Sequence, residues 1–134
     1  MDEPNKYRLN PMNNPLTRKQ LGTVGEGLAW KYLEGLHYEI IEKNWRCRTG
    51  EIDLIVKDGS FLVFVEVRTR SGSPQFGTPQ ESVNAKKQQQ VMETAQFYVH
   101  RYQKQQLQLR FDVISILTTK TGEQVSLDHL VNAF

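Results

Sequence analysis

The sequence predicts an α/β domain with a mixed β-sheet flanked by helices, in the order α-β-β-β-α-β-(β). Three observations indicate this fold class. Two stretches place apolar residues at the intervals of a helix. Several apolar or alternating runs are typical of strands, and turn signals separate them. The 134 residues, 38% of them hydrophobic and 24% charged, fit one globular domain.

The ordered domain is expected to begin near residue 17. Residues 1–16 contain three prolines and few apolar side chains, which predicts a flexible N-terminal tail. The single domain then covers residues 17–134. Thr17 and Gln20 have the spacing of a capping box, so the first helix is expected to start there. Its apolar residues follow at helical intervals: Leu21, Val24, Leu28, Tyr32 and Leu36.

Glycines recur in this first helix. Gly22, Gly25 and Gly27 each cost about 1 kcal/mol relative to alanine, which suggests a close approach between the helix and a neighbouring element. Gly35 is expected to form the C-terminal cap of the helix.

Three strand-like runs follow the first helix. They cover residues 38–48, 51–57 and 60–70. Thr49-Gly50 is a turn signal between the first two runs. Asp58-Gly59 separates the second run from the third, and Asp-Gly between two such runs predicts a tight hairpin.

A second helix is expected from about residue 79 to residue 103. Thr78 and Glu81 have capping-box spacing, and Pro79 suits the first helical position. The Gly- and Pro-rich residues before it predict a loop. Two further runs complete the domain, a strand and a short terminal strand or mixed element: residues 110–117 and 124–134.

The composition excludes several classes of protein. Cys47 is the only cysteine, which excludes an internal disulfide framework and a thiolate zinc cluster. The chain has no apolar run near the roughly 18 residues that span a bilayer and no secretory signal, so we expect a cytoplasmic protein without a membrane partner. The net charge is only +2, so a polyanionic partner must be bound by a local arrangement of charge.

Glu66 is an unexpected carboxylate. It lies within FLVFVEV, a nearly apolar run that is typical of a central strand buried on both faces. An unpaired buried carboxylate costs several kcal/mol. Glu66 must therefore have a partner, be protonated or bind a cation.

The predicted hairpin identifies the neighbours of Glu66. With a two-residue loop at the Asp-Gly turn, Glu51 is expected opposite Glu66 and Asp53 opposite Phe64. Paired residues share a face of the sheet, and side chains alternate along each strand. One side of the sheet is therefore expected to carry three acidic side chains and one basic side chain: Glu51, Asp53, Glu66 and Arg68.

Three adjacent carboxylates repel one another, and Arg68 could neutralise only one of them. A divalent cation would neutralise the rest, and oxygen ligands without His or Cys favour Mg²⁺ or Mn²⁺ over zinc. The alternative is a purely structural salt-bridge cluster centred on Arg68. Glu26 is a fourth acidic candidate, because it lies at the edge of the apolar arc of the first helix, from which it could lean over the sheet.

These residues resemble a known family. The pattern GxxGE with Ala29 and Tyr32, followed by NWRCRTGEIDLI, VFVEVRTR, FGTPQESV and NAF, is similar to the YraN-type family of uncharacterised bacterial proteins. The likeness extends from about Leu21 to Phe134. That family in turn resembles the PD-(D/E)XK nuclease superfamily, particularly the archaeal Holliday-junction resolvases. The resemblance implies a restriction-endonuclease-like core.

The resemblance also implies roles for individual residues. Glu26, Asp53 and Glu66 would hold the metal, and Asp53, Glu66 and Arg68 would be catalytic. Arg68 stands where the superfamily usually has Lys, a compact ammonium that a larger guanidinium replaces imperfectly, so we expect reduced or altered activity. Glu51 lies outside the minimal motif and would either support a metal ligand or neighbour Arg68.

The implied partner is DNA, which needs positive charge near this face of the sheet. The candidate phosphate-binding side chains lie on strands and at the start of the second helix: Arg46, Arg48, Arg70, Lys86 and Lys87. Such contacts carry no sequence information, so we expect recognition of DNA structure or backbone. The analogy with junction resolvases, which act on two-fold symmetric substrates, implies a homodimer.

The sequence thus favours a metal-dependent DNA endonuclease-like protein, acting on branched or structured DNA. Two other classes stay open. One is a non-catalytic nucleic-acid-binding module that was silenced by the arginine at position 68. The other is a protein-interaction adaptor whose acidic cluster is structural.

Overall fold

A computed structural model describes residues 14–72 and 83–134 of the chain. The predicted α/β fold and order of elements are confirmed. The bounds are α1 (Arg18–Gly35), β1 (Glu39–Cys47), β2 (Gly50–Asp58), β3 (Phe61–Ser71), α2 (Ala85–Arg101), β4 (Gln108–Thr118) and β5 (Gln124–Leu130). Neither of these two helices is long and apolar enough to cross a membrane.

The five strands form one mixed sheet in the order β1-β2-β3-β4-β5. Only β3 and β4 are parallel, because α2 returns the chain to the same end of the sheet. The two helices cover opposite faces. Leu33 of α1 packs in the same cluster as Val63 and Val65, whereas Tyr98 of α2 packs with Phe64. As expected, β3 is therefore buried on both faces.

The predicted start of α1 is confirmed. The backbone N–H of Thr17 donates to Oε1 of Gln20 at 2.9 Å, and the N–H of Gln20 donates to Oγ1 of Thr17 at 3.1 Å. The predicted cap at Gly35 is wrong, since Gly35 is still helical. The chain leaves the helix at Leu36, and His37 takes the left-handed conformation with φ of 66°.

The start of α2 also differs from the prediction. Thr78, Pro79 and Glu81 lie outside the described residues. The helix begins at Ala85, after Asn84, whose side chain accepts a hydrogen bond of 2.9 Å from the N–H of Lys87. Asparagine is among the best N-cap residues, so the N-terminal cap lies six positions further along the chain than the predicted Thr78.

The β2–β3 register differs from the prediction by two residues. Asp58 pairs with Phe61 and Ile55 pairs with Phe64, so the loop consists of Gly59 and Ser60. Asp58 stays in β2, where its carboxylate accepts a hydrogen bond of 2.8 Å from Arg110. Gly59 has a φ of 60°, which a type II′ turn requires at its first loop position. A shift of two residues preserves the faces on which side chains point.

Candidate active site

Asp53 and Glu66 lie together where β2 and β3 separate. The pairing of the two strands ends at Leu54 and Val65. Beyond this pair, the N–H of Val67 donates a hydrogen bond of 2.8 Å to Oδ2 of Asp53. Glu66 lies between Val65 and Val67 on β3, and only 3% of its side chain is exposed. These two acids are called the carboxylate pair below.

The alternation of β2 is interrupted at Asp53. Ile52 and Leu54 are both fully buried, yet Ile52 packs in the cluster beneath α2 and Leu54 in the cluster beneath α1. In a regular strand, residues two apart point to the same face. Asn44, which lies across from Asp53 on β1, has a φ of 52°, so both strands are irregular at this position. The predicted pairing of Asp53 with Phe64 is wrong, because Ile55 pairs with Phe64.

The carboxylate pair is electrostatically frustrated. Burial raises the pKa of Glu66, and the negative charge of Asp53 raises it further. Burial also raises the pKa of Asp53, with Glu26 and Glu51 acting in the same direction. Among the described residues, Oε2 of Glu66 has no hydrogen-bond partner. The site therefore holds two acids that resist being ionised together.

Helix α1 brings Glu26 to the carboxylate pair. The preceding residue, Gly25, is buried against Thr69 of β3, and a Cβ atom at position 25 would overlap the Thr69 side chain. This contact is the close approach that the glycines predict. At Gly22 and Gly27, by contrast, an added Cβ would meet no atom within 4 Å of those described, so they do not mark the approach.

Helix α2 contributes Lys87 from the opposite side. Its Nζ lies 3.7 Å from Oε1 of Glu66, which is an ion pair too long for a direct hydrogen bond. The positive charge of Lys87 also acts on Asp53. The sequence predicts Lys87 as a phosphate contact and misses its place beside Glu66. The spacing of Asn84 and Lys87, N-cap to third helical residue, is the signal that could have fixed the helix start.

The predicted position of Glu51 is wrong. Glu51 lies beyond the end of the β2–β3 pairing and does not pair with Glu66. It pairs with Arg46 of β1, and Nε of Arg46 lies 2.9 Å from Oε1 of Glu51. The side chains are 75% and 40% exposed, so this is a surface ion pair. Glu51 still contributes negative charge near Asp53.

A cleft of about 750 Å³ opens between the N-terminal part of α1 and the end of β3. Three arginines and one acid contribute to its lining: Arg18, Arg68, Arg70 and Glu26. Arg68 is exposed, and its charge also acts on Glu66. Arg18 is a basic residue that the sequence interpretation missed, because it belongs to the first turn of a helix, remote in sequence from the strands. This surface is called the α1 cleft.

A smaller cleft of about 370 Å³, the α2 cleft, lies between the β1–β2 turn and the start of α2. Lys87, Arg46 and Glu51 contribute to its lining. Two of the predicted phosphate contacts lie elsewhere: Lys86 is exposed on α2, and the guanidinium of Arg48 lies 5.0 Å from the centre of the Phe97 ring. The structure thus brings some of the predicted basic residues to the site and places others outside it.

The donor set suits a hard divalent cation. Within residues 14–72 and 83–134, no three Asp, Glu, His or Cys side chains form a ready group of metal ligands. Mg²⁺ commonly uses one or two carboxylates and keeps several waters. The carboxylate pair alone can therefore provide its protein ligands. The unpartnered Oε2 of Glu66 is a buried acceptor that such an ion would satisfy. A ligand role for Glu26 stays a prediction.

Comparisons with known proteins identify relatives over most of the chain. The model of the uncharacterised protein family UPF0102 matches residues 25–116. A UPF0102 protein of Geobacter metallireducens is 44% identical over 119 residues, which are 89% of this chain and 95% of the relative. A UPF0102 protein of Caldicellulosiruptor saccharolyticus is 36% identical over 119 residues, with 89% and 100% covered. The matched region includes both members of the carboxylate pair.

Proposed function

The chain belongs to the uncharacterised protein family UPF0102, and we propose that it is a metal-dependent nuclease that hydrolyses phosphodiester bonds in DNA. One observation carries this proposal. Glu66 is buried beside the charge of Asp53, and its Oε2 has no partner among the described residues. A buried acceptor without a partner costs free energy, and a bound divalent cation would offset that cost.

The carboxylate pair would hold Mg²⁺ or Mn²⁺, and Glu26 would face the ion from α1. Such an ion, when bound, supplies positive charge at the phosphate and lowers the pKa of water. Hydrolysis joins a water oxygen to phosphorus and breaks the bond from phosphorus to a sugar oxygen. The water loses a proton, and the leaving oxygen gains one. Val67 fixes the orientation of Asp53 through its N–H, and Arg68 would contact the phosphate from the α1 cleft.

The two clefts support a nucleic acid as the substrate. Arg18, Arg68 and Arg70 give the α1 cleft a local excess of positive charge that the net charge of +2 does not reveal. Basic side chains beside a phosphodiester-cleaving site would hold the phosphates that flank the reacting one. The described lining of the two clefts contains no base-reading motif, which favours recognition of DNA structure or backbone.

The resemblance to Holliday-junction resolvases supports the finer parts of this proposal. It favours branched DNA over regular duplex DNA. It also favours a homodimer, since a four-way junction has two-fold symmetry and presents two equivalent strands. Such a protein would act in the cytoplasm.

The test is a cleavage screen with purified protein. The probes are labelled duplex, single-stranded, flapped and four-way-junction oligonucleotides, each with Mn²⁺, Mg²⁺ or EDTA. We expect metal-dependent cleavage that falls about 100-fold or more in Asp53→Asn and Glu66→Gln, because each variant removes a charged ligand. Glu34→Gln removes an exposed carboxylate of α1 and serves as the matched control. Cleavage at the wild-type rate by both Asp53→Asn and Glu66→Gln would contradict the proposal.

A second candidate, the non-catalytic DNA-binding module, is favoured by one observation, the arginine at position 68. Binding of the junction probe at low salt without any metal-dependent cleavage would support this alternative over the nuclease. A chain that neither binds nor cleaves any of the probes would overturn both the nuclease and the DNA-binding module. That result would favour a protein-interaction role.

A further inference from the structure

Lys87 is a cation placed directly at the buried carboxylate pair. Its ammonium lies 3.7 Å from Oε1 of Glu66, and its charge acts on Asp53 as well. About a third of the side chain is exposed, toward the α2 cleft. An ammonium has three N–H donors. Lys87 can therefore stay paired with Glu66 while presenting donors to a molecule that enters the cleft.

The position of Lys87 is fixed by hydrogen bonds of its helix. Its own N–H donates to the Asn84 side chain, which sets the start of α2. Gln90, one turn later, donates to the carbonyl of Thr49 at 2.9 Å. Thr94, a further turn along, lies 2.8 Å from Oγ1 of Thr49 and is fully buried. Lys87, Gln90 and Thr94 lie on one face of α2, so the β1–β2 turn holds that face toward the carboxylate pair.

Arg68 is placed differently. It lies two residues after Glu66, where the nuclease resemblance expects a lysine, but it is exposed and lines the α1 cleft. A guanidinium spreads its charge over a planar fork that suits a phosphate, whereas an ammonium is a compact, strongly hydrated charge. The charges of both basic residues act on Glu66, but Arg68 lines the α1 cleft and Lys87 lines the α2 cleft, and their side chains differ in chemistry.

We propose that Lys87 supplies the catalytic ammonium of this site and that Arg68 binds phosphate. This inference rests on the proposed nuclease function. In the reaction, one N–H of Lys87 donates to the oxygen of the attacking water and another to a non-bridging phosphate oxygen. The water–phosphorus bond forms as the phosphorus–sugar oxygen bond breaks, while the water releases its proton to solvent and the leaving sugar oxygen takes one from solvent. Lys87 stays protonated throughout and stabilises the negative charge that develops on the phosphate.

A purely structural role for Lys87 makes a different prediction. If its charge only compensates the carboxylates, a divalent cation would take over that task, and saturating metal would restore full activity to a variant without it. If it acts on the reacting atoms, metal cannot replace it. Removing the Lys87 ammonium, which competes with Mn²⁺ for the carboxylate pair, would then tighten Mn²⁺ binding while the cleavage rate falls.

The test uses the DNA probe that the wild-type chain cleaves fastest in the screen described above. We expect Lys87→Gln to lower the saturated cleavage rate about 100-fold at saturating Mn²⁺. The dissociation constant for the probe should change less than about threefold, because one phosphate contact contributes little. Lys87→Met preserves the aliphatic stem and provides a second variant if Lys87→Gln fails to fold. Lys31→Gln removes an exposed lysine of α1 as the charge-matched control.

A double variant gives the sharpest readout. Arg68→Lys places an ammonium two residues after Glu66, so combining it with Lys87→Gln should recover at least about tenfold of the lost rate. A structural role would not predict that recovery. A wild-type saturated rate in Lys87→Gln, or full recovery by metal alone, overturns this inference while the nuclease proposal stands. A wild-type chain that cleaves no probe overturns the nuclease proposal itself.

Discussion

Glu66 and Asp112 are buried acids of neighbouring strands in opposite environments. Burial alone would raise the pKa of Asp112, but hydrogen bonds from His129 and Arg110 lower it. Its carboxylate also accepts a hydrogen bond of 2.9 Å from the N–H of Asn132. Glu66 has the long ion pair with the lysine of α2 and, within the described part of the chain, an unpartnered oxygen. The contacts of Asp112 therefore stabilise the fold, whereas burying Glu66 in this environment costs free energy of folding.

This contrast predicts that Glu66→Gln stabilises the metal-free protein above neutral pH. The folded-state pKa of Glu66 is raised from 4.5 to about 8. Between these values the folded state retains a proton that the unfolded state has lost, so stability falls as the pH rises, by at most about 1.4 kcal/mol per unit. A glutamine at position 66 does not titrate, so it adds no such dependence of stability on pH. In EDTA, the variant should therefore melt above the wild-type chain at pH 8, with the difference narrowing toward pH 5.

Thermal unfolding followed by circular dichroism measures this difference. Glu34→Gln, which removes an exposed carboxylate, should show no comparable pH-dependent gain. A Glu66→Gln variant that is destabilised equally at both pH values would mean that Glu66 serves the fold as a structural salt bridge.

Individual residues were predictable from sequence to different degrees. The burial of Glu66 follows from the apolar run around it, and its need for a partner follows from electrostatics alone. The ion pair between Glu66 and Lys87 could not be predicted. It depends on where α2 begins, which the local Asn84 cap sets, and on how the β1–β2 turn orients the helix, which a tertiary hydrogen bond from Gln90 to Thr49 sets.

Helix α1 and strand β3 meet at a contact that only glycine permits. Gly25→Ala would drive a methyl group into Thr69, so the helix or the strand must move. We expect a loss of about 1–3 kcal/mol in the free energy of unfolding, the usual range for overpacking. Gly27→Ala is the matched control in the same helix, because its methyl group meets no described atom within 4 Å. That control should stabilise the protein by up to about 1 kcal/mol.

Urea unfolding of the two variants measures both values. The Gly25→Ala shift should also move Glu26 away from the carboxylate pair, so its Mn²⁺ affinity should fall relative to Gly27→Ala. A Gly25→Ala variant as stable as Gly27→Ala would show that α1 does not pack closely on β3.

The elements themselves were largely predictable, because hydrophobic periodicity and turn residues are local signals. The sheet strands and the capping box of α1 agree with the structure for that reason. The β2–β3 loop was misplaced because Asp58 is held in its strand by Arg110, a contact from β4 that a hairpin rule does not include. The irregularity at Asp53 was not predictable either, since strict alternation is the assumption that it violates.

Across the domain, the topology assembles the site from parts that are separate in sequence. β2 and β3 supply the carboxylate pair, α1 supplies Glu26 and a basic cleft, and α2 supplies Lys87. The helices lie on opposite faces of the sheet, and each cleft is lined by a basic residue whose charge acts on Glu66: Arg68 in the α1 cleft and Lys87 in the α2 cleft. The net charge of +2 conceals this arrangement, because the arginines of the α1 cleft are balanced by acids elsewhere on the chain.

Calorimetric titration of the wild-type chain with Mn²⁺, repeated on Asp53→Ala and Glu66→Ala, tests the proposed site most directly. These two carboxylates are the proposed metal ligands, so each variant should lose Mn²⁺ binding. Its circular dichroism spectrum should stay that of the folded protein. Glu34→Gln should bind as the wild-type chain does. Mn²⁺ binding of wild-type strength in both alanine variants would contradict the assignment of the carboxylate pair as the metal site.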